Sequence, residues 1–109
     1  MNESNQHRAA KILKPYRQQI DQLDTQILKL LGKRFAVVRK VAKTKIKYDL
    51  PSFLHDRVEE VRSTRVAQAK KYGIDPGFAY NLYSAIIYTS CGMEDEMKTA
   101  QLKSKKKHK

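Results

Sequence analysis

Arg34 and Lys45 stand eleven residues apart, which on an ideal helix is three turns plus about 20° of rotation. They therefore project from one helix face, with Val38 and Val41 between them. Their α-carbons are about 16 Å apart along the axis, so only long side chains bending inward could grip one small anion. A cation in an apolar seam is costly unless paired. The ordinary alternatives are an acid beside Arg34 and a Lys45 ammonium that reaches out to water. Ser90 and Glu94 are four apart and share a face of another helix. There the plainer reading is a helix-directed serine and a solvated glutamate within Glu94-Asp95-Glu96. Arg57 stands where a further helix opens, a customary place for an ion pair. Arg17 precedes Arg34 by seventeen residues, about 25 Å of helix, too far to join one small site in the same chain. Across an antiparallel seam between two chains, the partner's Arg17 could sit beside Arg34; a surface arginine next to Asp21 is the plainer alternative. Taken together, these residues could make a cationic pocket, with one serine and one carboxyl group among apolar walls.

Other chemistries find less support. Gly32, Gly73, Gly77 and Gly92 are scattered, so no phosphate-binding loop is formed. His7 and His108 lie near the ends, where fraying is expected, and His55 is in or beside a loop, so no Ser-His-Asp arrangement is evident. The single cysteine, Cys91, reads as packing within an apolar helix rather than as a nucleophile. No Cys/His cluster has zinc-ligand spacing, so no zinc site is expected.

Helices must position these groups. Leu13, Tyr16, Ile20, Leu23, Ile27, Leu30, Arg34, Val37 and Val41 alternate three and four apart, a heptad seam in which Arg34 is the charged member. This predicts a first helix from about Pro15 to about Ile46. Asp49, Pro51 and Ser52 interrupt the pattern. A second helix to about Tyr72 follows, with Asp56-x-x-Glu59 as a candidate capping box and Gly73 as its stop. Asp75-Pro76 reads as the cap and first turn of a third helix, with Ala79, Leu82, Ile86, Met93 and Met97 at helical spacing. The expected fold is all-α, three helices per chain with a long first helix. Residues 1–12 are expected as a flexible segment, 13–97 as the domain, and 98–109 as a basic, disordered tail.

The 109 residues suit one domain, and 40% apolar content is enough for a core. A first helix of about 32 residues would span about 48 Å, whereas a compact chain of this length has a radius of gyration of about 13 Å. Two shorter helices cannot bury that seam, so a twofold homodimer is expected. The net charge of +12 is uneven: residues 98–109 hold six Lys and no acid, and the acid-free stretch from Lys29 to Lys47 holds eight basic residues. A basic helical protein binding nucleic acid is the competing reading, but several of these cations follow the seam and no nucleic-acid motif is present. The N-terminus has no apolar signal core and no apolar run approaches a membrane span. A cytoplasmic protein without membrane association is expected.

The run Arg17-x-x-Ile20-Asp21-x-x-Asp24-x-x-Ile27-Leu28-x-Leu30-Leu31-x-x-Arg34, continued by Val37, Val41, Ala42 and Lys45, resembles the first helix of the all-helical chorismate mutases. Arg57, Gly73-Ile74-Asp75, Ile86-Ile87, Ser90 and Glu94 continue the match in order, over roughly residues 13–97. The resemblance implies an intertwined homodimer in which each of two active sites is completed by the first helix of the other chain. It implies the Claisen rearrangement of chorismate to prephenate, a pericyclic step needing no cofactor or metal. By position, Arg34 and the partner's Arg17 would hold the substrate carboxylates, and Lys45 a carboxylate and the ether oxygen. Ser90 would assist a carboxylate, Arg57 would line the ring side, and Glu94 would take the place of a second ether-oxygen donor.

Three residues depart from the commonest pattern. Val58 follows Arg57 where a glutamate commonly holds the C4 hydroxyl, and Leu54 stands where an acidic residue is often found nearby. An Arg-Val pair here resembles the isochorismate-pyruvate lyases of the same fold, which release pyruvate and leave salicylate; that elimination, or action on another chorismate-derived substrate, is the alternative activity. Glu94 replaces a frequent glutamine. An ionised Glu94 would repel negative charge developing on the ether oxygen, whereas a protonated one would donate to it.

Overall fold

The computed structural model describes residues 4–107, with side chains through Lys105. The described chain is helical throughout its regular structure: α1 spans Asn5–Lys47, α2 His55–Lys71 and α3 Pro76–Lys107. It divides into two units, Met1–Phe35 and Ala36–Lys109.

The first unit is a single stretch of α1. It starts some ten residues earlier than the seam pattern predicts. The reason is Ser4, whose Oγ accepts the His7 backbone N–H at 3.1 Å while its carbonyl accepts that of Arg8 at 3.1 Å, the arrangement of an N-cap serine. Pro15 thus lies inside α1 rather than in its first turn, where it can donate no N–H to the ladder. The seam side chains are open to solvent within one chain, with Tyr16 63% and Leu30 64% exposed.

The second unit contains the packed core. Val58 and Val61 of α2 pack with Ile87 of α3, and Tyr83 and Cys91 close around them. Arg62 ties the same two helices together: its Nε donates to Ser84 Oγ at 3.1 Å and its guanidinium lies 5.5 Å from the centre of the Tyr80 ring. The link between α2 and α3 is a Schellman stop. Gly73 adopts φ +69°, its N–H bonds the Lys70 carbonyl at 3.3 Å, and the Ile74 N–H bonds that of Ala69 at 3.0 Å. Asp75 then caps α3, its Oδ2 accepting the Phe78 N–H at 2.9 Å.

Local chemistry corrects two further expectations. Asp56 and Glu59 form no capping box: α2 is preceded by Leu54, extended at φ −115° and without a side-chain cap, and Glu59 pairs instead with Arg62 at 3.1 Å. α3 continues through the lysine-rich stretch to Lys107. Cations in the last turns of a helix complement its dipole, so the composition is compatible with helix as well as with coil. Residues 1–3, His108 and Lys109, which the sequence reads as parts of flexible ends, lie outside the described residues.

Candidate functional site

α1 ends in a second Schellman stop, and this stop positions Lys45. Asp49 takes the left-handed conformation at φ +54°, which Asp tolerates better than most residues. The turn lets the Asp49 N–H bond the Ile46 carbonyl at 3.2 Å and the Leu50 N–H bond the Lys45 carbonyl at 2.7 Å. Pro51 follows immediately and cannot continue a helix. The chain then doubles back far enough for Lys45 Nζ to donate to the Ser52 carbonyl at 2.8 Å.

The Lys45 ammonium also lies 2.8 Å from Glu94 Oε1 on α3, and the two side chains are only 16% and 7% exposed. Glu94 Oε1 makes no aligned hydrogen bond among the described residues. The contact is therefore electrostatic, and the directed donation goes to Ser52. Ser90, one turn earlier on α3, is buried and donates its hydroxyl to the Ile86 carbonyl at 2.8 Å. Cys91 stands beside the pair, its Sγ 4.0 Å from the Ser52 oxygen. Burial chiefly, reinforced by the Glu94 carboxylate and only partly opposed by Lys45, pushes the Cys91 thiol above its ordinary value.

A largely buried ammonium and a buried carboxyl group thus meet beside the turn that follows α1, with the buried Ser90 hydroxyl one turn earlier on α3. Of the residues expected from sequence, Lys45, Ser90 and Glu94 belong to this group. Arg57 is exposed at the start of α2 and pairs with Glu60. Val58 is buried in the α2–α3 core rather than open to solvent, because its position one residue on from Arg57 turns it about 100° inward. Arg17, exposed, and Arg34, half-buried, both belong to the first unit. Arg34 is engaged in interactions of its own.

Two groups were not legible from side-chain types. The Ser52 backbone carbonyl has no sequence signature, although the Asp49-Leu50-Pro51 turn beside Lys45 could have directed attention to it. Cys91 reads as packing from sequence, and its contact with Ser52 appears only once the turn is folded. Among the described residues, no group of three or more His, Cys, Asp or Glu gathers as metal ligands, and no helix is long and apolar enough to cross a membrane.

Residues 16–95 match the profile of the family described as chorismate mutase type II. A 4-amino-4-deoxychorismate mutase of Streptomyces venezuelae is 30% identical over 83 residues, covering 76% of this chain and 81% of that protein. A second, from Streptomyces pristinaespiralis, is 29% identical over 80 residues, covering 73% of this chain and 62% of that one. The T-protein of Haemophilus influenzae is 36% identical over 84 residues, 77% of this chain but only 22% of that protein. The chain therefore spans most of one of these relatives, under two thirds of another and a minor part of the third.

Proposed function

Because the chain belongs to the chorismate mutase type II family, we propose that it catalyses the Claisen rearrangement of chorismate to prephenate, as a cytoplasmic homodimer. The observation that carries this reading is the largely buried Lys45 ammonium held against Glu94 and the Ser52 carbonyl. The reaction needs no covalent intermediate. A small dianion must be folded so that its enolpyruvyl carbon faces the ring, which is catalysis by orientation. As the C–O bond breaks, negative charge gathers on the ether oxygen, and a preorganised donor in a dry site is worth most there.

Lys45 supplies that donor and contacts a carboxylate. Arg34, with the partner's Arg17, holds the carboxylates; Ser90 assists one of them, Arg57 lines the ring side, and Val58 lies behind it. Glu94 stands where a second donor to the ether oxygen is needed, a role open to its protonated form. A dimer is supported by the apolar seam of α1, whose Tyr16, Ile20, Leu23, Ile27 and Leu30 are all more than half exposed in one chain. Covering them stabilises an assembly by roughly 25 cal/mol per Å² of apolar surface.

A second reading, rearrangement of the 4-amino analogue of chorismate, is favoured by the names of the two Streptomyces relatives and by Val58. A buried valine offers no carboxylate to hold a C4 hydroxyl. Separate incubation of the purified protein with chorismate, 4-amino-4-deoxychorismate and isochorismate tests both readings. Prephenate from chorismate is the expected product. Turnover of the amino analogue alone would establish the second reading, and salicylate plus pyruvate from isochorismate alone would overturn both.

A further inference from the structure

We infer that the Ser52 backbone carbonyl is the positioning group that aims the Lys45 ammonium, an inference that rests on the catalytic role proposed for Lys45. Lys45 is held at both ends by one turn: its carbonyl accepts the Leu50 N–H at 2.7 Å, and its Nζ donates to Ser52 O at 2.8 Å. A free lysine side chain samples many rotamers, and this closed loop removes that freedom before any ligand arrives.

The two acceptors around the ammonium do different things. Glu94 faces it at 2.8 Å without an aligned hydrogen bond; an ionised carboxylate there offsets the positive charge and does little to direct it. The Ser52 carbonyl is neutral, so it orients one N–H and leaves the positive charge available. An ammonium has three donors. With one committed to Ser52, the directions of the other two are set, and an incoming oxygen meets a donor already in place.

The carbonyl is itself held from two sides. Asp49, at φ +54°, and Pro51 set the course of the turn on the α1 side. On the α3 side the Cys91 thiol approaches Ser52 O at 4.0 Å, and burial keeps that thiol protonated and able to donate. Asp49, Pro51 and Cys91 therefore act through Ser52 on Lys45 and need not touch substrate.

The test replaces the Ser52–Phe53 amide by an ester, installing the α-hydroxy analogue of phenylalanine at position 53 in the full chain. This weakens the Ser52 carbonyl as an acceptor without changing any side chain. Two quantities are read: kcat against KM with chorismate, and the hydrogen-exchange rate of the Lys45 ammonium followed by ¹⁵Nζ NMR without substrate. The expected result is faster ammonium exchange, a fall in kcat of about tenfold and an unchanged KM. Unchanged exchange in the ester overturns the inference, and so does faster exchange with wild-type kcat. If the unmodified chain does not turn over chorismate, the proposed activity fails, yet the exchange measurement still decides whether Ser52 holds Lys45.

Discussion

Lys45 Nζ and Glu94 Oε1 lie 2.8 Å apart with both side chains largely withdrawn from water. Removing one member of such a pair leaves the other charge buried and uncompensated, at a cost of about 3–5 kcal/mol. Replacing both by apolar groups avoids that penalty. Lys45→Met should therefore lower the urea midpoint markedly, and adding Glu94→Met should recover most of the loss. Activity should behave differently. Both variants should lose about 10²–10³ in turnover, the effect of deleting a preorganised donor, so recovered stability without recovered rate separates the two roles.

Asp49 is the non-glycine residue with positive φ among the described residues, at +54°. The left-handed conformation costs an ordinary residue about 1–2 kcal/mol, and a β-branched residue suffers most. Asp49→Gly should hold or raise the denaturation midpoint, whereas Asp49→Val should lower it by an amount in that range. Equilibrium urea unfolding of the two variants beside wild type measures the difference.

The raised Cys91 thiol fixes a sign for pH dependence. Its protonated form is favoured in the fold, so the stability it contributes is complete below the ordinary thiol value of 9.0. That contribution declines as pH rises from there through the folded-state value. Alkylation by iodoacetamide should accordingly reach its half-maximal rate at higher pH in the native protein than in urea. A native profile at or below the unfolded one would contradict the assignment.

If Arg17 and Arg34 serve one pocket from two chains, each alanine variant alone should be nearly inactive. Mixed and reassembled, they should recover about a quarter of wild-type activity, since half the dimers are mixed and each has one intact pocket. Refolding the two variants together and assaying prephenate checks this. No recovery, with dimers still formed, would overturn a pocket shared between two chains.

Periodicity revealed the α1 seam and the sharing of one face by Ser90 and Glu94, because both depend on spacing that a helix enforces. Tertiary contacts were harder to read. Lys45 and Glu94 are far apart in sequence; their residue types suggested a common pocket, and the resemblance gave each a role in it. The Ser4 cap was missed because the seam begins later than the helix does. Val58 joins the core because its neighbours on α2 and α3 need an apolar partner there, a demand that a single chain's pattern does not announce.

Surface connections between helices are where homologous proteins usually gain and lose residues without harm. The short link after Lys47 is denied that freedom. Inserting one residue between Leu50 and Ser52 would carry an acceptor atom out of reach of the lysine that depends on it, so length there is constrained as tightly as amino-acid type. Recombined or engineered versions of this chain should tolerate insertions after Tyr72 more readily than after Leu50.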